Sequence, residues 1–150
     1  MQQRKKGDAV YKPIVATLGY ILSPDGKQTL LVHRNRRSED QHLGKYNGLG
    51  GKMMPNEDIY RCLVREIYEE ANIICEQSVL RGTINWTGFG PNGEDWFGFI
   101  FRVEKFSGSP NTVNEEGDLV WVDVADIIVT VGQTIGSLQR QPQVTLLIGG

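Results

Sequence analysis

Short runs of apolar, β-branched and aromatic residues recur along the chain, and they predict β-strands at 14–22, 29–33, 78–86, 96–103 and 119–124. The segment Pro-Asp-Gly at 24–26 predicts a turn that closes the first two runs into a hairpin. The run at 96–103 is almost entirely apolar, so we expect it to be a central strand of the sheet.

One stretch has helical spacing instead. Ile59, Leu63 and Ile67 recur at i, i+4 and i+8, which predicts an amphipathic helix. We expect this helix to begin at 55–56, with the acidic residues 57–58 in its first turn. Together with the strand runs, it indicates a mixed sheet flanked by helices, an α/β (α+β) fold class.

The predicted helix carries a cluster of carboxylates. Glu66, Glu69 and Glu70 stand at i, i+3 and i+4, so all of them project from one face. Their mutual repulsion is relieved by a hard divalent cation such as Mg²⁺, which takes oxygen ligands and keeps waters that phosphate oxygens can displace. Glu57 and Arg65 can pair with these carboxylates and hold their rotamers. Taken alone, the glutamates would also suit a solvated helix face laced with ion pairs.

The segment 51–73 resembles the Nudix box, Gly-x5-Glu-x7-Arg-Glu-apolar-x-Glu-Glu-x-Gly-apolar, of hydrolases that cleave a nucleoside diphosphate linked to another group. Gly51 begins the pattern, and every later position fits except the last glycine, which is Asn72 here. That glycine closes the helix in the left-handed conformation, for which Asn is the next best residue. We therefore expect a small loss of stability and no loss of chemistry. The resemblance implies the Nudix-type α/β/α sandwich.

The residues just before the box indicate which branch of the family the chain resembles. The sequence NGLGGK at 47–52 is similar to the NGxGGK segment of MutT-like enzymes, which hydrolyse oxidised purine nucleoside triphosphates. The resemblance implies that the Gly50 carbonyl ligates magnesium, that Lys52 lies close to the phosphates and that Asn47 contacts the purine edge. An amide suits that last task because it offers both a donor and an acceptor. An ordinary Asn-Gly turn remains an equal alternative for Asn47.

A second similar segment lies in the acidic stretch 111–118. The sequence NEEGDLVW at 114–121 resembles the acidic loop and tryptophan-bearing strand of the same branch. By this resemblance Glu116 helps to bind metal or to orient water. The alternative is a solvated surface turn.

These resemblances imply a Mg²⁺-dependent hydrolysis of a nucleoside triphosphate, similar to 8-oxo-dGTP, to a nucleoside monophosphate and pyrophosphate, which serves nucleotide-pool sanitation. Mn²⁺ is the alternative cofactor. The expected metal ligands are Gly50, Glu66, Glu69, Glu70 and Glu116.

The remaining roles follow from the same resemblance. Glu66 is favoured as general base, with Glu69 and Glu116 as rivals, because metal-acidified water needs only a weak base. Arg65 assists catalysis, and Gly51 and Glu57 orient the site. The candidates to hold phosphate oxygens are Arg34, Lys45 and Lys52.

Composition and charge limit the alternatives. The 150 residues are 39% hydrophobic, enough to bury one core. A formal net charge of −2 argues against broad binding to nucleic acids or membrane surfaces, so we expect a small-molecule nucleotide as the partner. Cys62 and Cys75 lack disulfide or metal spacing. No apolar run reaches the length of a membrane span or signal peptide, which predicts a soluble, cytoplasmic monomer or homodimer.

The C-terminal segment departs from the family pattern. We expect a Nudix domain at 1–126, followed by an atypical tail of the same domain at 127–150. Arg140 is the only charged residue of that tail, which has no sustained helical period. The base-specificity residues expected there therefore have no counterpart that can be named.

Two alternative functions stay open. The box would equally suit a Nudix hydrolase of ADP-ribose, nucleotide sugars, dinucleoside polyphosphates or capped RNA. A different class is a Nudix-like nucleotide sensor without catalysis. Such sensors typically lose box carboxylates, whereas this chain retains Glu57, Glu66, Glu69 and Glu70.

Overall fold

A computed structural model describes residues 10–40, 42–89, 92–126 and 143–146. In chain order the elements are β1 (Ile14–Leu22), β2 (Gln28–Arg34), β3 (Tyr46–Asn47), α1 (Ile59–Ala71), β4 (Ile74–Phe89), β5 (Glu94–Ser107), β6 (Gly117–Asp123) and β7 (Gln143–Leu146). The predicted α+β class is confirmed. No helix in the described part of the chain is long and apolar enough to cross a membrane.

The described strands form one seven-stranded sheet in the order β3-β2-β1-β5-β4-β7, with β6 paired to β2. The sheet is mixed, since β1 and β5 run parallel while the other pairs are antiparallel. The predicted hairpin is present, with Ile21 opposite Leu30. β5 lies between β1 and β4, the central place that its apolar sequence predicts.

The hairpin of β4 and β5 is longer than the apolar runs predict. Its ladder extends to Ile74 opposite Ser107 at one end and to Phe89 opposite Glu94 at the other. Backbone pairing continues through polar residues there, and hydrophobic patterning does not detect such extensions. The connection between the two predicted strands is correspondingly shorter.

Part of the predicted tail belongs to the sheet. β7 pairs antiparallel with β4, from Gly82 opposite Leu146 to Asn85 opposite Gln143. Residues 124–126 are helical. The rest of the tail, 127–142 and 147–150, lies outside the described residues.

The helix α1 begins later than the sequence predicts. It starts at Ile59, and Asp58 is its N-cap, whose side chain accepts the Arg61 N–H at 2.8 Å. Asn56 has a left-handed backbone with φ of 64°, so the helix cannot pass through it. Glu57, expected in the first helical turn, therefore lies in the turn before the helix. This placement turns its carboxylate back towards α1.

The end of α1 is as predicted. Asn72 adopts φ 57° and ψ 36°, and its N–H donates to the Tyr68 carbonyl at 2.9 Å. A left-handed residue with this hydrogen bond closes the last turn, the task that a glycine performs in the box pattern.

Close packing against β1 fixes the position of α1. Leu63 and Ile67 are fully buried on the sheet side of the helix, and each contributes about 2 kcal/mol by leaving water. Gly19 of β1 permits this approach, since an added Cβ would lie 2.9 Å from the Cδ1 atoms of both residues. Glu66 and Glu70 lie beside this buried face and are part-buried, whereas Glu69 is exposed.

Candidate active site

The guanidinium of Arg65 is the centre of the box contacts. Its Nε donates to Glu57 Oε1 at 2.7 Å and its Nη2 to Glu57 Oε2 at 3.0 Å. Nη1 donates to Glu66 Oε1 at 2.8 Å and to Glu69 Oε2 at 3.2 Å, while Nη2 also reaches the Lys52 carbonyl at 3.2 Å. Hydrogen bonds from Arg65 lower the pKa of Glu57 to about 2, and the same pair raises the pKa of Arg65. The predicted orienting contacts are therefore formed.

Gly51 lies directly against Glu66. An added Cβ at Gly51 would lie 2.5 Å from the carboxyl carbon Cδ of Glu66. Only a residue without a side chain leaves room for the carboxylate at this place. The glycine that begins the box is thus required by the position of Glu66.

Gly50 is fitted just as closely to β1. An added Cβ there would overlap the carbonyl oxygen of Thr17. The Thr17 N–H donates to the Gly51 carbonyl at 2.9 Å, and the Gly19 N–H donates to the Leu49 carbonyl at 2.5 Å. These backbone hydrogen bonds therefore attach the loop before the box to β1, as they would attach a short strand.

Glu70 is the box carboxylate whose pKa is raised by its surroundings. Its Oε2 accepts the Gly50 N–H at 3.0 Å. Burial and, to a smaller extent, the charges of Glu116 and Glu66 raise the pKa of Glu70 to about 8, although the Gly50 N–H and Arg34 oppose the shift. The charges of Glu66, from the helix, and of Glu116, from a distant loop, thus both disfavour the ionised form of Glu70. In this structure the N–H of Gly50 faces Glu70, and ligation by its carbonyl stays a prediction.

Glu116 reaches this place on a loop that is itself well fixed. The Asn114 side-chain oxygen accepts the N–H groups of Glu116 and Gly117 at 2.9 and 3.1 Å. Arg34 donates from Nη1 to Glu116 Oε2 at 2.7 Å and from Nε to Asp40 Oδ2 at 2.5 Å. Arg34, predicted as a phosphate contact, is therefore paired with two carboxylates here.

The sequence prediction missed Asp40 and Asn114. For Asn114, its place three residues before Gly117 is a turn signal that could have been used. Asp40 lies in a polar loop whose pattern gives no such signal.

The other predicted substrate contacts are Lys52, Asn47 and Lys45. Lys52 Nζ lies 5.3 Å from the centroid of the Trp96 ring, a cation–π contact at the Arg65 side of the site. Asn47 is in β3 opposite Val32, and Lys45 lies just before it. In the part of the chain that the structure describes, neither Lys45 nor Asn47 forms a side-chain hydrogen bond or ion pair with the helix carboxylates.

The carboxylates of the described residues do not form a preassembled metal-binding site. Among the described residues, no group of three or more His, Cys, Asp or Glu side chains is arranged to hold a metal ion. The contacts explain this: Arg65 attracts Glu66 and Glu69, while Glu70 bonds to the Gly50 N–H. The donor set nevertheless fits a hard divalent cation, because Glu70 is partly buried beside two further negative charges.

Comparison with known proteins decides the family. The family model described as the NUDIX domain matches residues 12–141. The chain belongs to the Nudix family. The membership that the box predicts is confirmed.

Similar Nudix proteins come from several bacteria. An uncharacterized Nudix hydrolase of Bacillus subtilis (strain 168), YvcI, is 32% identical over 111 residues, which span 71% of this chain and 65% of that protein, just under two thirds of its length. The crystal structure of the MutT NUDIX hydrolase from Burkholderia pseudomallei has a TM-score of 0.64 at 28% identity and covers 76% of this chain and 85% of its own. The mutator MutT protein from Bacillus halodurans has a TM-score of 0.65 at 25% identity, with coverages of 78% and 72%.

Proposed function

We propose that this Nudix protein is a Mg²⁺-dependent pyrophosphohydrolase that cleaves a nucleoside triphosphate, similar to 8-oxo-dGTP, into a nucleoside monophosphate and pyrophosphate. The observation that carries the proposal is the set of box contacts: Arg65 donates to Glu57, Glu66 and Glu69, and Glu70 accepts the Gly50 N–H. The likeness to two MutT structures supports a triphosphate as substrate. Its role in the cell would be the sanitation of the nucleotide pool.

The groups proposed to hold the cation are the Gly50 carbonyl and the carboxylates of Glu66, Glu69, Glu70 and Glu116. Bound Mg²⁺, or Mn²⁺ in its place, would acidify water, orient the phosphate oxygens and neutralise developing charge.

The protein's own residues prepare the attack of water. Arg65 uses only Oε1 of Glu66, so Oε2 remains available to accept a proton from the attacking water. Glu69 and Glu116 are the alternative bases. As water adds to an internal phosphorus, the bond to the bridging oxygen breaks and pyrophosphate leaves. Lys52 and Lys45 are proposed to neutralise the phosphate oxygens, and Asn47 to contact the base.

The test is product analysis on a nucleotide panel at fixed Mg²⁺: 8-oxo-dGTP, dGTP, ADP-ribose and a nucleotide sugar. We expect pyrophosphate from the triphosphates, with preference for the oxidised base. Glu69→Gln should lower the rate by about a hundredfold. The matched control is Glu76→Gln, an exposed glutamate on β4 outside the box, which should leave the rate unchanged.

Other outcomes would replace the proposal. Hydrolysis confined to ADP-ribose or the sugar nucleotide, without pyrophosphate, would assign the protein to another group of Nudix hydrolases. Inactivity on every substrate, from a protein that melts at a higher temperature when nucleotide is added, would favour a sensor.

A further inference from the structure

Arg34 joins two carboxylates from different segments of the chain. One is Asp40, in the loop that follows β2; the other is Glu116, in the loop before β6. All three side chains are mostly shielded from water, with exposed fractions of 16% for Arg34, 7% for Asp40 and 31% for Glu116. An ion pair so shielded is screened little by salt, so its geometry is held more firmly than that of a surface pair.

Asp40 is held in place by its own loop. Its Oδ1 accepts the His42 N–H at 2.9 Å. Its backbone N–H donates to the Arg37 carbonyl at 3.1 Å, and its carbonyl accepts the Leu43 N–H at 3.0 Å. Burial raises the pKa of Asp40, but hydrogen bonds from Arg34 and His42 outweigh it, so the pKa lies below its ordinary value. Asp40 is therefore a fixed negative charge that orients the guanidinium.

The backbone beside Glu116 has little freedom to move. Gly117 pairs with Arg34 in the ladder of β2 and β6, and an added Cβ at Gly117 would overlap the carbonyl oxygen of His33. The direction of the Glu116 side chain is thus left to the partner of its carboxylate, Arg34.

We propose that Asp40 is a positioning residue for Glu116: it fixes Arg34, and Arg34 in turn fixes the direction of the Glu116 carboxylate. Arg34 then serves the site through Glu116 rather than by contact with a phosphate. The planar guanidinium donates to both carboxylates from separate nitrogens, which an ammonium group cannot do in the same geometry. The inference rests on the proposed function, in which Glu116 binds metal or orients water.

The test is calorimetric titration of the nucleotide-free protein with Mn²⁺. Asp40→Asn and Glu116→Gln should each weaken Mn²⁺ binding by about tenfold. Because Asp40 acts through Glu116, adding Asp40→Asn to Glu116→Gln should cause little further loss. With nucleotide present, Asp40→Asn should lower kcat while KM for the nucleotide stays nearly constant.

A neighbouring ion pair supplies the matched control. Arg37 and Glu115 join the same two loops at 3.3 Å, but their side chains are 53% and 92% exposed. Glu115→Gln should leave Mn²⁺ affinity unchanged, because such exposed pairs contribute little. If Asp40→Asn lowers the melting temperature markedly, Arg34→Lys, which keeps the charge, becomes the deciding variant and should weaken Mn²⁺ binding to the same extent.

Three results would overturn the inference. One is wild-type Mn²⁺ affinity in folded Asp40→Asn and Arg34→Lys proteins. Another is a tenfold loss from Asp40→Asn that persists in the Glu116→Gln background. The third is a raised KM with unchanged Mn²⁺ affinity, which would make Arg34 a phosphate contact. A wild-type protein that binds no Mn²⁺ would instead overturn the proposed function itself.

Discussion

Arg65 and Glu57 are joined by two parallel hydrogen bonds, Nε to Oε1 at 2.7 Å and Nη2 to Oε2 at 3.0 Å. The pair connects the helix α1 to the turn before it, and Glu57 also accepts the Met54 N–H at 2.9 Å. With Nε and Nη2 directed at Glu57, Nη1 points to Glu66 and Glu69. The pair therefore sets the directions of two carboxylates that we propose as metal ligands.

Replacing Arg65 by Lys should lower activity by about ten- to a hundredfold and reduce the melting temperature. A lysine keeps the charge but cannot reproduce the two-pronged contact with Glu57, so Glu66 and Glu69 lose their common anchor. Steady-state kinetics and thermal unfolding measure both effects. Arg61→Lys is the control, because Arg61 is 76% exposed and its contact with Asp58 is 3.5 Å long. Equal kinetics for the two variants would contradict the assigned role.

The ion pair of Glu57 should also appear in the acid unfolding of the protein. The folded pKa of Glu57 is about 2, against about 4.3 in an unfolded chain. A lowered folded pKa contributes stability that is complete above the unfolded value and is lost as pH falls towards the folded one. The free energy of unfolding of the wild type should therefore exceed that of Glu57→Gln at pH 6. The difference should shrink between about pH 5 and pH 2, as measured by urea unfolding, and a constant difference would rule out the ionic contribution.

Gly50, just before the box, and Gly51, its first residue, should respond differently to the same substitution. At Gly50 an added Cβ would overlap backbone, the Thr17 carbonyl oxygen, which cannot rotate away. Gly50→Ala should therefore cost about 3 kcal/mol of stability or more. At Gly51 the obstacle is the end of the Glu66 side chain, so Gly51→Ala should fold but lose activity by about tenfold or more.

Urea unfolding and kinetics on the two glycine variants separate these effects. Gly26→Ala is the control: its φ is also positive, at 71°, but an added Cβ meets open space. It should cost only about 1 kcal/mol. A fully stable Gly50→Ala protein would show that the loop can leave β1 without penalty.

The features that the sequence predicts well depend on local spacing. The shared face of Glu66, Glu69 and Glu70 follows from helix geometry, and the left-handed Asn72 follows from the box pattern. The predicted start of α1 was a few residues too early because Asn56 takes a left-handed backbone. Nothing in the adjacent sequence requires that conformation.

Contacts between distant segments were beyond sequence reasoning. Glu116 and Arg34 are separated by 82 positions, and their pairing depends on the register of β6 along β2. Asp40 lies only six positions after Arg34, and the irregular loop that follows β2 folds back to bring the two side chains together. No spacing rule links residues of separate loops, so Asp40 could be found only from the folded chain.

The charge of Glu70 is in conflict with the stability of the fold. Its carboxylate is partly buried beside the charges of Glu66 and Glu116, and its pKa is raised to about 8. Glu70→Gln removes the ionisable group but keeps an oxygen that can accept the Gly50 N–H. In the presence of a chelator, the variant should therefore be more stable than the wild type at neutral pH, by about 1 kcal/mol.

Addition of Mg²⁺ should reverse that order. The wild type gains stability from a ligand that binds only the folded state, whereas Glu70→Gln lacks one of the proposed ligands and should gain less. Thermal unfolding of both proteins with chelator and with Mg²⁺ measures the crossing, and Glu76→Gln should behave as the wild type in both conditions. If Glu70→Gln were destabilised without metal, or showed the full Mg²⁺-dependent shift, Glu70 would be a structural residue rather than a metal ligand. A reversal of the stability order on adding Mg²⁺ would mean that Glu70 destabilises the metal-free protein and stabilises the protein when the cation is bound.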